Sequence, residues 1–415
     1  MKKDVIAMVL AGGVGSRLNV LARQRAKPAI VFGAIYRIID FTMSNIANSD
    51  IDVAGVLTQY KPLSLMEHID NGRPWDLFGR TRLVEILPPK TGEEISDWYK
   101  GTADAVYQNL DFISGFNPRF VLVAAGDHIY HLDYKEVIEY HIEKGADATI
   151  CLIRVPEKDA RHFGLAEVDD RGRIIHWQEK PQHPQSNLAS MGVYLFNSEL
   201  LLSVLPKVAR KGGVDFARDV FPLLLKKDKI FGFFYQGYWR DVGTIDTYWN
   251  TNMDLLKRNS GLNLAEWGVK TNPVTRGKVG DQPATYFSRS ARIRSSLIAR
   301  GCVIEGRVEN SVISPGVRIG RGALVTDSVV FHDTMIEEGA QVFKTIVDKQ
   351  VKISRRVVIG QGRNSANRRY PGHLNTGITV IGKNAVIYAG KTIGKNCIVN
   401  PGGIVDKDFI SGSTI

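Results

Sequence analysis

Apolar and polar positions follow two different periodicities in the two parts of this chain. Up to about residue 256, short apolar runs of strand length alternate with longer segments in which apolar residues recur at helical spacing. We predict strands at residues 5–10, 53–57, 120–125, 148–155 and 192–196. We predict helices at residues 134–144, 215–225 and 244–256. Because strands and helices alternate, we expect the first part of the chain to form a mostly parallel sheet covered by helices.

Beyond a polar stretch at residues 257–285, which we interpret as a linker, the apolar spacing becomes shorter. Aliphatic or small residues recur every five or six positions, with glycine, asparagine and aspartate between them. The series is Val303, Val308, Val312, Val317, Ala323, Val329, Met335, Ala340, Ile346, Val351 and Val357. This spacing is typical of the hexapeptide repeats of a parallel β-helix. We therefore expect one domain at residues 1–256 and a β-helix at residues 286–415, with an insertion at about residues 361–376.

The repeats do not define a function by themselves. Hexapeptide coils either carry acyltransferase sites between subunits or serve for assembly and regulation. An acyltransferase site needs a histidine base, and we interpret His332 and His373, the histidines of this part, as turn or surface residues. Assembly and regulation are therefore the favoured role, and acyl transfer is the alternative.

Composition narrows the class of protein further. The 415 residues are 44% hydrophobic and 23% charged, as in ordinary globular proteins, and the sequence has no apolar run long enough to span a membrane. Cys151, Cys302 and Cys397 are widely spaced and predict neither a disulfide framework nor a zinc site, which indicates a reducing cytoplasm. The net charge of +11 comes without a basic helix or interleaved aromatic residues, so it favours small phosphorylated ligands over nucleic acid.

A glycine-rich loop follows the first predicted strand. Leu10-Ala11-Gly12-Gly13-Val14-Gly15 ends that strand, and Arg17 adds a permanent positive charge. Glycines have no Cβ, so backbone N–H groups can approach an anion closely, at the sheet edge where open α/β sheets bind ligands. The loop matches neither a Walker motif nor a dinucleotide fingerprint. We interpret it as a phosphate-binding loop, with a simple tight connection as the alternative.

Cations and small residues suited to a phosphorylated ligand occur farther along the chain. Arg25 and Lys27 could clamp the negative charge of a triphosphate. Lys180 offers an ammonium group for a second phosphate. Gly101 and Thr102 would let a planar ring or a phosphate come close, although Thr102 is also a suitable helix cap.

Two carboxylates follow predicted strands. Asp127 comes just after the strand at residues 120–125 and is a hard oxygen ligand suited to Mg²⁺, or a turn residue. Asp241 precedes the helix at residues 244–256 and is either a second ligand or a helix cap. Together with the glycine loop and the cations, these carboxylates indicate phosphoryl or nucleotidyl transfer, in which positioning and charge neutralisation supply most of the catalysis.

With these motifs the chain resembles the sugar nucleotidyltransferases, and within them the bacterial glucose-1-phosphate adenylyltransferases. The glycine loop is common to the whole group, whereas the segments at residues 98–106, 126–130 and 238–244 are similar to the adenylyl branch. The resemblance implies a Rossmann-like, mostly parallel α/β nucleotidyltransferase domain followed by a left-handed parallel β-helix. It also implies that ATP and α-D-glucose 1-phosphate react to ADP-glucose and pyrophosphate, which feeds glycogen synthesis.

The resemblance implies roles for individual residues as well. The nucleotide would be held by Leu10, Ala11, Gly12, Gly13, Gly15, Gln59 and Gly101. The sugar phosphate would be bound by Tyr99, Gly164, Glu179, Lys180 and Ser190. The catalytic residues would be Arg17, Lys27, Asp127, Lys180 and Asp241. Arg17 and Lys27 would contact the triphosphate, and Asp127 and Asp241 would hold Mg²⁺.

The resemblance also implies a homotetramer regulated by small-molecule effectors near the domain junction, with no nucleic-acid or membrane partner. Two departures from the family pattern leave details open. Gln24 stands where relatives that respond to sugar-phosphate activators often carry lysine, and Gly212-Gly213-Val214-Asp215-Phe216 replaces the usual Ser-Ser-His-Asp-Phe. The alternatives are a catalytically silent regulatory subunit, an enzyme for another nucleotide, and a non-enzymatic β-helix scaffold.

Overall fold

In the computed structural model, residues 3–90, 98–273 and 282–415 are described. The first part of the chain has the strands β1 (Val5–Leu10), β2 (Val31–Phe32), β3 (Tyr36–Arg37), β4 (Val53–Leu57), β5 (Leu83–Leu87), β6 (Phe120–Ala125), β7 (His128–Tyr130), β8 (Ala148–Arg154), β9 (Gly164–Val168), β10 (Ile174–Glu179), β11 (Leu188–Asn197), β12 (Ile230–Phe234) and β13 (Trp239–Asp241). Its helices are α1 (Ile39–Asn48), α2 (Leu63–Ile69), α3 (Thr102–Tyr107), α4 (Leu110–Phe116), α5 (Tyr134–Glu143), α6 (Glu157–Ala160), α7 (Ser198–Arg210), α8 (Phe221–Leu224) and α9 (Ile245–Asp254). Residues 274–281 of the predicted linker lie outside the described residues.

The order of the strands places β1 near the middle of a mixed sheet. The strands are arranged β10-β9-β11-β6-β1-β4-β5, and β8 pairs with both β11 and β12. β1 runs parallel to β4 and β6, whereas β11 is antiparallel to β6 and β8. Ile6 and Met8 belong to the core on one side of the sheet, and Ala7 and Val9 to the core on the other. The continuous apolar run of β1 therefore results from burial on both faces.

The predicted α/β architecture is confirmed. β4 and β6 coincide with the strands predicted at residues 53–57 and 120–125, and α9 lies within the helix predicted at residues 244–256. The helix predicted at residues 215–225 is instead a turn of π-helix followed by α8. Asp215 begins this segment, and its side chain accepts two backbone hydrogen bonds there.

The second part of the chain winds three parallel sheets of short strands around one apolar core. The first sheet comprises Tyr286–Phe287, Val303–Ile304, Arg318–Ile319, Met335–Ile336, Lys352–Ile353, Val386–Ile387 and Ile404–Val405. The second comprises Arg292–Arg294, Arg307–Glu309, Leu324–Thr326, Gln341–Phe343, Val358–Gln361 and Thr392–Gly394. The third comprises Leu297–Ile298, Val312–Ile313, Val329–Val330, Thr345–Val347, Thr379–Ile381 and Ile398–Val399.

The predicted β-helix is thus confirmed, with the triangular coil that hexapeptide repeats produce. Val312, Val329 and Ile346 pair in register on successive coils and are buried in an apolar cluster shared with the α/β part. Two other members of the same apolar series, Val303 and Met335, are not buried. The Met335 side chain is 40% exposed, and the neighbouring Ile336 is buried instead, because successive residues of a strand point to opposite faces.

The β-helix packs against the α/β part of the chain through apolar and charged contacts. Tyr248 on α9 meets Phe331 edge to face, with ring centroids 6.4 Å apart. Arg25 donates hydrogen bonds of 2.9–3.0 Å to the carboxylate of Asp348, and both side chains are buried. Trp267, within the predicted linker, belongs to the same apolar cluster as residues of both parts. The two parts of the chain therefore share a core.

The cysteines are small core residues, as predicted. Cys151, Cys302 and Cys397 are all buried and unpaired. Burial raises the pKa of the Cys302 and Cys397 thiols, which lowers their reactivity. Within the described parts of the chain, no helix has the length and hydropathy that a bilayer span requires.

Candidate active site

The carboxyl ends of β1 and β4 border a cavity of about 300 Å³. Its lining residues are Leu10, Gly12, Gly13, Leu57, Gln59, Tyr99, Gly101, Thr102, Ala105, Ala125, Asp127 and Asp215. A Cβ at Gly13 would lie 3.9 Å from Asp127 Oδ2, so a longer side chain would fill the space in front of this carboxylate. Gly15 has a φ of 65° and begins a 3₁₀ turn, a conformation that favours glycine. The predicted phosphate-binding loop therefore lies at the mouth of the cavity.

One wall of the cavity is formed by Gln59, Tyr99 and Gly101. Gln59 Nε2 donates a hydrogen bond of 3.2 Å to the Tyr99 carbonyl oxygen. The Oε1 atom of Gln59 is buried and has no hydrogen-bond partner among the described residues. Gly101 lies so close to Val214 that a Cβ would be 2.4 Å from the Val214 carbonyl oxygen. This wall offers an apolar surface with one hydrogen-bond acceptor, which suits an aromatic base.

The Tyr99 hydroxyl is engaged in protein hydrogen bonds. It donates to the Leu87 carbonyl oxygen at 3.0 Å and accepts from Asn109 Nδ2 at 2.9 Å. Burial raises the pKa of Tyr99 to about 12. In the structure Tyr99 lies with Gln59 and Gly101, whereas the resemblance had implied a contact with the sugar phosphate.

Two carboxylates that are distant in sequence meet at the edge of this cavity. β7 and β13 pair antiparallel, and His128 lies opposite Asp241 in their register. Asp127 precedes β7 directly, so both carboxylates reach the same space. Lys27 Nζ lies 2.8 Å from Asp127 Oδ2 and 2.8 Å from Asp241 Oδ1. Asp241 is not the cap of α9, because Thr244 fills that position.

The charges of this cluster stabilise one another. Burial opposes the charge of Lys27, but the two carboxylates outweigh it and raise the pKa of Lys27. Burial likewise disfavours the charged forms of Asp127 and Asp241. The attraction of the Lys27 ammonium group is the larger effect, so the pKa values of both carboxyl groups are lowered. The three groups therefore stay ionised together at neutral pH.

The residues of this cluster fit a divalent cation. Asp127, His128 and Asp241 each offer one ligand atom, and these atoms lie within 4.8 Å of one another. Carboxylate oxygens are the ligands that Mg²⁺ and Mn²⁺ prefer. The site can therefore hold a divalent ion beside the glycine loop.

A second group of site residues lies on β9, β10 and β11. Gly164 pairs with Glu179 in register, and a Cβ at Gly164 would lie 2.8 Å from Glu179 Oε2. Lys180 has a φ of 45°, and its Nζ lies 2.8 Å from Glu179 Oε1 with the side chain 65% exposed. Ser190 Oγ accepts a hydrogen bond of 3.2 Å from the Gly192 backbone. The structure thus places Gly164 beside Glu179 and Lys180, with Ser190 on the neighbouring strand β11.

Arg17 lies close to Asp241. A Cβ at Gly243 would lie 3.0 Å from Arg17 Nη2 and 2.9 Å from Asp241 Oδ1. The guanidinium group is therefore within a few ångströms of the carboxylate cluster. The structure brings Arg17, Lys27, Asp127 and Asp241 together around the glycine loop.

Two residues near this site, Asp215 and His128, were given no role from the sequence. Thr102 Oγ1 donates a hydrogen bond of 2.9 Å to Asp215 Oδ2, and both residues line the cavity. His128 faces the two carboxylates. The position of His128 directly after Asp127 was the available signal, because a residue next to a strand-end carboxylate lies close to the same edge of the sheet.

The fold and this site agree with two family models. Residues 6–258 match the model described as nucleotidyl transferase, and residues 283–381 match the model described as GlmU-like, C-terminal hexapeptide. The chain is thus a nucleotidyltransferase that carries a hexapeptide-repeat domain.

Relatives that match along almost the whole chain define the family more closely. Proteins named glucose-1-phosphate adenylyltransferase are similar to this chain in Acetivibrio thermocellus (44% identity over 96% of this chain and 94% of the relative) and in Clostridium perfringens (43% identity over 95% and 97%). A third, from Thermosipho melanesiensis, is 42% identical over 100% of both chains. The chain belongs to the glucose-1-phosphate adenylyltransferase family.

Proposed function

We propose that this enzyme transfers the adenylyl group of ATP to α-D-glucose 1-phosphate and releases pyrophosphate, and that its product ADP-glucose feeds glycogen synthesis. The names of its relatives support these substrates. The observation that carries the proposal is the meeting of Asp127, Asp241 and Lys27 beside the glycine loop. Gln59 Oε1, a buried acceptor on the cavity wall, could accept a hydrogen bond from the amino group of adenine.

The chemistry needs no general base. An anionic oxygen of the sugar phosphate attacks the α-phosphorus of ATP, a P–O bond forms, and the bond to the bridging oxygen breaks as pyrophosphate leaves. The obstacle is the repulsion between two polyanions, which at about 4 Å amounts to about 1 kcal/mol per charge pair in water and about 4 kcal/mol at an effective dielectric constant of 20. Fixed cations around the phosphates therefore supply most of the acceleration.

On the nucleotide side, we propose that backbone groups of Leu10–Gly13 and Gly15 hold the phosphates and that Gln59 and Gly101 hold the base. Arg17 and Lys27 contact the triphosphate and neutralise the departing pyrophosphate. Asp127 and Asp241 hold Mg²⁺, which supplies positive charge to the phosphate oxygens when it is bound.

On the sugar side, Gly164, Glu179, Lys180 and Ser190 bind the glucose 1-phosphate. The ammonium group of Lys180 contacts its phosphate. Tyr99 contributes from the wall that it shares with Gln59, through its ring and its position, because its hydroxyl is already hydrogen-bonded to the protein.

We also propose that a cavity between the α/β part and the β-helix binds anionic effectors. This cavity measures about 1040 Å³, and Arg37, Arg73 and Lys383 carry positive charge in its lining, which also includes Gln24, Lys349 and the acidic residues Glu67, Asp70 and Asp333. The division into a catalytic domain at residues 1–256, a linker at residues 257–285 and an assembly domain at residues 286–415 is part of the proposal. The homotetramer and the cytoplasmic location implied by the resemblance remain predictions.

Release of pyrophosphate by the purified full chain tests the proposed function. The assay compares ATP, UTP and dTTP with α-D-glucose 1-phosphate and other sugar phosphates, each with Mg²⁺. We expect turnover with ATP and glucose 1-phosphate, and a loss of orders of magnitude in Asp127→Asn with an unchanged fold by circular dichroism. No pyrophosphate with any pair would favour a silent regulatory subunit, and turnover with another triphosphate would correct the nucleotide. Repeating the assay with fructose 1,6-bisphosphate, pyruvate, AMP and phosphate tests the effectors.

A further inference from the structure

His128 faces the two carboxylates, and the proposed function gives it no role. Its Nε2 atom lies 3.5 Å from Asp127 Oδ1 and 4.0 Å from Asp241 Oδ1. Its Nδ1 atom lies 3.0 Å from the Met191 carbonyl oxygen. Because a carbonyl oxygen can only accept, the hydrogen of the neutral ring is on Nδ1. The lone pair of that ring is then on Nε2 and points at the carboxylates.

The orientation of this imidazole is determined by three neighbours. The Met191 carbonyl oxygen holds Nδ1. Gly192 has a φ of 70°, and a Cβ there would lie 3.4 Å from His128 Cε1, at the limit of a comfortable contact. The Trp239 ring meets the imidazole edge to face at a centroid distance of 5.1 Å and an angle of 75°. Histidines that bind metals are oriented in this way, by a hydrogen bond from the ring nitrogen that does not bind the metal.

The separations between the ligand atoms are compatible with one octahedral ion. Ligands at about 2.1 Å from a metal are roughly 3 Å apart when adjacent and about 4.2 Å apart when opposite. The two distances from His128 Nε2, 3.5 and 4.0 Å, fall between these values. The full set lies within 4.8 Å. Shifts of less than an ångström would therefore bring all three atoms onto a common ion.

We propose that His128 Nε2 is a third protein ligand of the divalent ion that Asp127 and Asp241 hold. This inference rests on the proposed function, which assigns the metal to the two carboxylates alone. Imidazole nitrogen is a better ligand for Mn²⁺ and later first-row metals than for Mg²⁺. The site should therefore bind Mn²⁺ more tightly, relative to Mg²⁺, than two carboxylates would.

Pulsed electron paramagnetic resonance of bound Mn²⁺ tests this ligand directly. The sample is the full chain with Mn²⁺ and α,β-methylene-ATP, in which the reacting bond cannot break. We expect a ¹⁴N coupling of a directly coordinated nitrogen, and its replacement by a ¹⁵N coupling in protein labelled with ¹⁵N-histidine. His128→Phe should lose the coupling and weaken Mn²⁺ binding by about tenfold or more. His176→Phe is the matched control, because His176 pairs with Glu167 on β9, outside the cluster, and should retain both properties.

The possible outcomes separate this inference from the proposed function. A ³¹P coupling from the nucleotide without a nitrogen coupling would reject His128 as a ligand and leave the carboxylate metal site intact. No Mn²⁺ bound next to the nucleotide would reject both. A ¹⁴N coupling that persists in the ¹⁵N-histidine protein would assign the nitrogen to a group other than histidine and would also reject the inference. If His128→Phe does not fold, the labelled wild-type protein still decides the question.

Discussion

Replacing Lys27 by methionine tests whether this ammonium group holds the two carboxylates together. The Lys27 side chain is 6% exposed and lies 2.8 Å from an oxygen of each carboxylate. Methionine retains the apolar stem of the side chain and removes the charge. Asp127 and Asp241 are then left facing each other across less than 4.8 Å.

The expected effect is large for a single substitution. At a separation of about 4 Å and an effective dielectric constant of 20, two like charges repel by about 4 kcal/mol. Removing one partner of a buried ion pair costs about 3–5 kcal/mol in measured cases. We therefore expect Lys27→Met to lower the free energy of unfolding by about 3–5 kcal/mol and Tm by roughly 5 °C when metal is absent.

Thermal unfolding with EDTA and with Mn²⁺ is the assay. Because a divalent ion would neutralise the same carboxylates, Mn²⁺ should raise Tm more in Lys27→Met than in the wild type. Lys135→Met is the control, since Lys135 pairs with Asp50 on the exposed surface and surface pairs contribute little. An unchanged Tm in EDTA, or an equal gain from Mn²⁺ in both proteins, would refute the role of Lys27 as the counterion of this cluster.

Three further predictions concern the sugar side and the junction between the two parts of the chain. Lys180→Ala removes a charge-assisted hydrogen bond to the sugar phosphate, so steady-state kinetics should show a KM for glucose 1-phosphate raised by about 10–100-fold. Arg25→Met leaves the buried carboxylate of Asp348 without its cation, so urea unfolding should show a free energy of unfolding lowered by about 3–5 kcal/mol. The double variant Arg25→Met/Asp348→Leu removes that carboxylate as well and should recover most of this loss. Burial, together with Arg37 and Arg25, lowers the pKa of Lys349 well below its usual value, so the unfolded chain binds more protons and stability should rise with pH up to the ordinary lysine range. Lys349→Met should remove this rise between pH 7 and 9.

Elements with strong periodicity could be predicted from the sequence, and those that assemble the site could not. β4 and β6 are continuous apolar runs because both faces of the sheet are covered. β7 and β13 contain three residues each, which is too short for an alternating pattern. Their pairing brings Asp127 to Asp241. The approach of these carboxylates was therefore expected from the family resemblance and not from the hydrophobic pattern.

The direction of the Lys27 side chain could not be predicted for a related reason. An ammonium group pairs with the anions that the tertiary structure brings within its reach, and these carboxylates lie 100 and 214 positions downstream. Gly15 influences how Lys27 reaches these carboxylates. Gly15 has a positive φ, and a Cβ at this position would lie only 3.1 Å from Lys27 Cβ. Because glycine has no Cβ, the loop can pass close to Lys27. A side chain at position 15 would push Lys27 away from the carboxylates. The predicted phosphate-binding loop therefore also determines where the ammonium group of Lys27 lies. Its glycines position this cation as well as the backbone groups that would contact the phosphates.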